Sequence, residues 1–504
     1  MTLKIGLVFP NQEGYKMKGL IILYITILFL LSNDCMAQPD TLWTRVYGGE
    51  GYDWGYSVQQ TADSGFIIMG QTNSFGEGNL DFWLLKTNAN GDTLWTKTYG
   101  GNEDDEGWCV HQTLDGGFIM SGHTESFGLS EDDFWIVKTD SQGVKEWDKM
   151  YGGDEDNDKC VLRETLDKGY ILLGASEVMD TGNDDVLLVK INDKGDIEWS
   201  KTFGDSLHNE VGSIDVTSDS GFIITFTYEE PDSRDQNIQI LKTDSLGNIK
   251  WTKNMGGSEN ETIAPNSVKQ TSDGGYVIFA TTESFGSGGE DIWLVKTDEQ
   301  GETLWTKTFG GFSTDFCIGG DQTLDGGYIV LARTTSFGAG NIDAWLIQTD
   351  QNGEILWTKT FGGTGYDVGA CVRQTFDGGY IISGATQSFA ANLIDLWLIR
   401  LEPYKSTGLT ENKGNRITSF ELKQNYPNPF NPATTIRYDL PKAQFVTIGI
   451  YNTLGQKLET LLNKRMPAGN HEIQFNGQHL PSGVYLYRIE AGEWQEVKKL
   501  VLLK

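Results

Sequence analysis

The chain has 504 residues, with 39 Lys and Arg against 70 Asp and Glu for a net charge of −31, and 62 Gly to only 11 Pro. Aromatic residues make up 12% of it, too many for a disordered acidic chain. The charge argues against nucleic acid as a partner, because phosphate binding needs clustered Lys and Arg. It is also unevenly spread. Residues 1–37 carry a net +1 and residues 402–504 a net +4, whereas residues 38–401 hold 23 basic and 59 acidic side chains. A boundary near residue 402 follows from that shift.

At the N-terminus, Met17-Lys18 precedes an apolar run over residues 19–31. The run has the length of a signal-peptide core and is short for a membrane span. Cys35 and Ala37 put small residues at −3 and −1, so cleavage is expected after Ala37 and residues 1–37 read as a signal peptide. Met17 is then an alternative start, with residues 1–16 upstream of it. An uncleaved anchor is the competing reading. A lipoprotein would need small residues where Asn33 and Asp34 stand. Cleavage leaves Cys109, Cys160, Cys317 and Cys371, without CxxC spacing or Cys/His clustering, so zinc is not expected. Small buried thiols are expected, with a disulfide as the alternative.

The body is one unit written seven times. Trp43, Trp95, Trp147, Trp199, Trp251, Trp305 and Trp357 are spaced 52, 52, 52, 52, 54 and 52 residues apart. A Thr-x-Asp-x-Gly-[Phe/Tyr] pattern begins at Thr61, Thr113, Thr165, Thr217, Thr271, Thr323 and Thr375. An Asp-x-Trp marker recurs at Asp81, Asp133, Asp291, Asp343 and Asp395, and decays at Asp185 and Asn237. Such a period means propeller blades or helical arrays. Each copy shows four runs of strand length bounded by Gly/Asp turns, and none carries a 3.6-residue apolar stripe. We label the runs a, b, c and d. Runs b and c are almost continuously apolar, as strands buried on both faces are.

The chain opens with a lone d over residues 42–47, passes through six full sets and ends on a, b and c at Leu401. Pairing that first strand into the last blade closes a ring of seven four-stranded blades. The predicted fold is therefore all-β: a seven-bladed β-propeller over residues 38–401, its N-terminal strand closing the last blade. A polar linker (402–419) and a short all-β domain (420–504) follow.

The tail carries Asn425-Tyr-Pro-Asn-Pro-Phe-Asn-Pro432, Thr434-Thr-Ile-Arg-Tyr-Asp-Leu-Pro441, Leu480-Pro-Ser-Gly-Val-Tyr-Leu-Tyr487 and a terminal Lys498-Lys-Leu-Val-Leu-Leu-Lys504. These motifs resemble the type A C-terminal sorting domain of type IX secretion cargo from the Bacteroidetes lineage and relatives. The resemblance implies a small immunoglobulin-like sandwich that engages the type IX secretion machinery and takes the protein across the outer membrane. In that family the domain is often cut off. The product would be secreted or attached to the outer cell surface, after signal-peptide export to the periplasm. The body looks like the propeller repeats of secreted bacterial proteins, a likeness that supplies no activity.

Chemical motifs are sparse. The Thr-x-Asp-x-Gly pattern is similar to the Asp-box of sialidases, but seven copies suit a turn, where Asp accepts backbone N–H bonds and Gly takes positive φ. A Gly-x-Ser-x-Gly elbow and a P-loop are both missing from the sequence. His111 and His123 read as satisfied strand histidines. Residues 154–158 begin like an EF-hand loop but have Lys159 and Thr165 where Gly and Glu belong. No cofactor is expected; a loosely bound calcium ion there stays open.

Two patterns carry more. Two residues before the marker Thr, strand a reads Gln59, His111, Arg163, Asp215, Lys269, Asp321 and Arg373. These should form a ring near the axis whose charges pair between blades and fix their register; a ligand-holding polar channel is the alternative. The d→a and b→c loops share one face of the disc. The first set is acidic, including Asp53, Asp104, Asp105, Asp156 and Asp158, and the second carries Phe75, Phe127, Phe285 and Phe337 in Ser-Phe-Gly loops. That face is the candidate binding surface. The only length change among the copies is two residues around 261–266. With no singular catalytic constellation, the sequence points to a secreted, non-enzymatic binding protein for an extracellular glycan or protein. A carbohydrate-active enzyme (glycan hydrolase or lyase) using the same face is the alternative.

Overall fold

The computed structural model describes residues 38–128, 133–151, 160–178, 183–204, 209–230, 233, 235–404, 420–425, 428, 430, 432–452, 456–466, 469–492 and 494–502. In blade two, strands Asp105–Gln112, Phe118–Thr124, Asp133–Thr139 and Lys145–Tyr151 form one antiparallel sheet in sequence order. Blades one to six repeat this order, and every strand a lies beside the strands a of both neighbours, so the ring is a closed seven-bladed β-propeller. The closing blade is composite. Thr41–Tyr47 pairs antiparallel with Asp395–Leu401, with Val46 opposite Trp397, outside Tyr380–Thr386 and Asp367–Gln374. Glu402 N–H to Asp40 O, 2.9 Å, extends the seam.

Burial explains the strand chemistry. Strands b and c of blade two are buried at every residue, whereas its outer strand d is largely open to solvent. Each blade is sandwiched by two others, so both faces of b and c must be apolar. Between blades one and two, Ile67, Met69 and Phe82 pack with Val110, Phe118 and Trp135. Each such side chain contributes roughly 1.5–3 kcal/mol of burial energy. Outer strands are tied as well: Tyr99 Oη donates to Gly143 O and Tyr151 Oη to Gly195 O, both at 2.6 Å.

The marker motif is a hairpin device. In blade two, Thr113 Oγ1 and Gly117 N–H both donate to Asp115 Oδ1, at 2.5 and 2.9 Å. The buried Lys138 of strand c reaches Asp115 Oδ2 at 2.9 Å and Thr139 O at 3.0 Å. Lys86, Lys190, Lys242, Lys296 and Arg400 make the same ion pair in other blades. One turn position is left-handed in all the motifs, with φ of 86° at Gly116 but also 72° at Lys168.

The tail is a two-sheet β-sandwich over one core that includes Ile436, Tyr438, Ile448, Tyr487 and Leu500. Its Asn-rich motif works as backbone mimicry. Asn428 Oδ1 accepts Val501 N–H at 2.9 Å, Asn425 Nδ2 donates to Thr434 Oγ1 at 2.9 Å, and Phe430 is buried.

Candidate ligand site at the channel axis

Strand a lines the axis, and the residues two before each marker Thr face their counterparts there. Lys269 Nζ lies 3.5 Å from Asp215 Oδ1, and Arg373 Nη1 lies 3.9 Å from Asp321 Oδ2. Backbone groups complete the belt: Gln112 N–H donates to Gln59 Oε1 at 2.7 Å, and Gln270 N–H to Asp215 Oδ2 at 3.0 Å. His111 Nε2–H donates to Leu162 O at 3.0 Å. Burial, and then the charges of Arg163, Arg373 and Lys269, hold its pKa well below the usual histidine value, so it is neutral.

The two extra residues of blade five plug this channel. Strand Glu261–Gln270 pairs Ile263 with Ala280 and next Val268 with Ile278, so residues 264–267 bulge out of the ladder. Asn266 sits in the bulge at φ 69°, a conformation Asn tolerates. Its Oδ1 accepts Arg163 Nη2 at 2.6 Å and Arg373 Nη2 at 3.2 Å, from blades three and seven. Beside Asn266 and Arg373 only about 10 Å³ of void remains, room for no more than one water.

On the other side of Asn266, towards the d→a loops, a cavity of about 390 Å³ opens. One wall is aromatic. The Tyr56 and Trp108 rings are 4.5 Å apart, and Trp54 stacks on Tyr56 at 5.9 Å. Trp108 Nε1–H donates to His123 Nδ1 at 3.3 Å, which fixes the indole. Ile263, Pro265, Phe316 and Ile318 add apolar surface; Glu210, Gln236, Thr262 and Arg333 are the polar lining. The Tyr56 phenol is pushed up by burial, then by Glu106, against the opposing charge of Arg333, and stays protonated. Burial likewise holds Cys160 as a thiol. Arg333 Nε is buried and without a hydrogen-bond partner. Among the described residues no three His, Cys, Asp or Glu are grouped to hold a metal ion. The arrangement can stack, hydrogen-bond and neutralise an anion.

Comparison with known proteins bears on the tail. Residues 424–503 match the family described as "Secretion system C-terminal sorting domain". The tail is a type IX secretion sorting domain. Three solved structures are similar to the chain over 60% or more of its length. PorZ, a surface component of the type-IX secretion system of Porphyromonas gingivalis, has TM-score 0.42 and 11% identity over 91% of this chain and 60% of its own. A puromycin hydrolase has TM-score 0.46 and 12% identity over 79% and 59%, and a PL25 ulvan lyase has 0.40 and 9% over 60% and 79%. This chain thus spans 60% of the length of PorZ. At these scores the likenesses carry no argument about activity. No curated protein matches the chain.

The loop residues singled out by sequence are placed apart from the cavity lining. Phe75, Phe127, Phe285 and Phe337 are half-exposed and pack on the strand c Trp of their own blades, Phe337 on Trp345 at 4.7 Å. Asp53 and Asp105, expected on an acidic loop surface, are instead fully buried at the start of strand a. Gly49 N–H and Ser74 Oγ donate to Asp53 Oδ2, at 2.8 and 2.7 Å, and Gly101 N–H donates to Asp105 Oδ2 at 2.8 Å. Each faces a carboxylate of the preceding blade: a Cβ on Gly48 would press on both Asp395 and Asp53, and one on Gly100 on both Asp81 and Asp105. Asp104 Oδ1 accepts Leu80 N–H at 3.0 Å. Asp156 and Asp158 lie outside the described residues.

Sequence reasoning missed Tyr56, Trp108, Phe316, Arg333 and the role of Asn266. A signal was present. Five residues before the marker Thr the copies read Tyr56, Trp108, Cys160, Gly212, Asn266, Ile318 and Ala370. That is a column of maximal variation on the innermost strand.

Proposed function

We propose that this is a binding protein exported by the type IX route, whose propeller holds an extracellular ligand in the axial cavity above Asn266. One observation carries the reading: the cavity is lined where the sevenfold repeat is broken, by Tyr56, Trp108, Asn266 and Arg333. Residues that merely hold blades together recur from copy to copy. A pocket that pairs aromatic surface with a few convergent polar groups is the usual form of a small-ligand site. The signal peptide (1–37), the export to the periplasm and the placement at or beyond the outer surface belong to the same proposal. The sorting domain supports them.

The test is a glycan and polysaccharide panel applied to the chain from residue 38 onward, scored for retention and for new reducing ends. Retention without turnover is expected. Turnover would favour the carbohydrate-active enzyme instead.

A further inference from the structure

We infer that the axial cavity takes an acidic sugar unit, a uronate, with Arg333 holding its carboxylate. The inference rests on the cavity being the binding site. Its first support is singularity. At the repeat position of Arg333, the other copies have Gln71, His123, Ala175, Thr227, Thr281 and Ala385. The cation is introduced once, opposite Phe316 in the ladder and inside the cavity. It does nothing that the propeller needs seven times.

The second support is what Arg333 lacks. Its Nε is buried without an acceptor, and no carboxylate lies within ion-pair distance of it among the described residues. By contrast Arg400, also a strand residue, has both Nη2 bonds to Asp377, at 2.7 and 2.6 Å. A buried Nε–H without an acceptor is costly, and a carboxylate entering from the cavity can accept it together with a parallel Nη–H. The Nε–H calls for an acceptor that none of the described residues supplies.

The third support is the remainder of the lining. Tyr56 and Trp108 offer a rigid aromatic surface on which the weakly polar face of a pyranose can lie. Glu210 and Gln236 are planar groups that match hydroxyls as acceptor and as acceptor-plus-donor. A ligand with one carboxylate, one flat ring and several hydroxyls satisfies all three. At about 390 Å³ the cavity is at the small end for ligand sites, which suits an end unit of a chain. The acidity of the propeller does not forbid this. Fields between exposed charges are largely screened beyond about 8 Å at physiological salt, whereas Arg333 acts at contact.

The experiment is a titration of Trp fluorescence, backed by calorimetry, on the chain from residue 38 with D-galacturonic acid, D-glucuronic acid, D-galactose and 4-hydroxybenzoate. One of the two uronates is expected to bind, and D-galactose about tenfold or more weaker. Arg333→Met should weaken the uronate by about tenfold or more and leave D-galactose unchanged, and Arg333→Lys should fall between. Unchanged melting temperatures establish that both variants fold. Equal binding of galactose and uronate, preference for 4-hydroxybenzoate, or indifference to Arg333→Met overturns the inference. If a neutral glycan from the panel binds with dependence on Trp108, the uronate assignment falls and the cavity stands. If no ligand depends on Trp108, both fall.

Discussion

The two ends of the central channel are built by opposite rules. Towards the a→b turns, one position of every blade supplies a polar or charged residue, and neighbours pair: Lys269 with Asp215, Arg373 with Asp321. Towards the d→a loops, the inward residues share nothing from blade to blade, running from Trp108 through Gly212 to Ala370. The first end is repeat and serves assembly. The second is exception and encloses a cavity. In a repeat protein, what recurs holds the frame and what departs from it is available for recognition.

The comparison can be broken at the frame first. Phe134 is fully buried and fills the space beside Gly174 of the next blade, so Phe134→Ala should cost about 3–5 kcal/mol in denaturant unfolding. Uronate affinity, measured below the transition, should not change. A smaller loss is expected at the boundary between the two ends. Asn266→Ala leaves Arg163 and Arg373 without their shared acceptor and should cost about 1–3 kcal/mol. It should also weaken ligand binding, because it removes the cavity floor. Asn266→Gly relieves the left-handed backbone but not the missing acceptor. It should therefore recover only part of the stability.

Acidity at the blade junctions gives a pH test. Burial, and then the neighbouring Asp105, raise the Asp81 carboxyl to about 6, against a backbone hydrogen bond that lowers it. The folded state therefore binds the proton more tightly than the unfolded chain, and stability falls as pH rises from about 4 through 6. Asp81→Asn should flatten that slope in melting temperature against pH. Blade five already uses such a junction, with Asn237 beside Glu261. Turn carboxylates act in the other direction. Burial raises Asp115, but bonds from Thr113, Lys138 and Gly117 hold it at about 2, so its contribution is present above pH 4 and lost as pH falls towards 2. The smallest effect is at Lys168, left-handed at φ 72°, where Lys168→Gly should stabilise by about 0.5–1 kcal/mol in thermal melts.

Much of this frame was readable before any coordinates. The Trp period and the strand tally required residues 42–47 to complete the blade of Trp397, and they do. The axial belt was readable because its residues stand at a fixed offset from the marker Thr. The cavity was not. Its floor depends on how two inserted residues fold, and a length count shows neither the bulge nor the direction of Asn266. Arg333 lies on strand b, whose apolar pattern draws attention away from single exceptions. Asp53 and Asp105 were misplaced because an acid following Gly-rich sequence looks like loop surface. In the fold it begins strand a against another blade. The Lys86-type ion pair was visible as a recurring Lys before the closing Thr of strand c, yet its partner across the hairpin emerges only once the sheet is paired.

The most direct test sets exception against repeat in one measurement. Affinity for the ligand retained from the panel is determined for Trp108→Ala, which alters the variable column, and for Phe75→Ala, which alters a recurring loop. A loss of about tenfold or more in the first with no change in the second is the expected result. Equal losses, or a loss confined to Phe75→Ala, would place recognition on the repeated loop face and contradict the account.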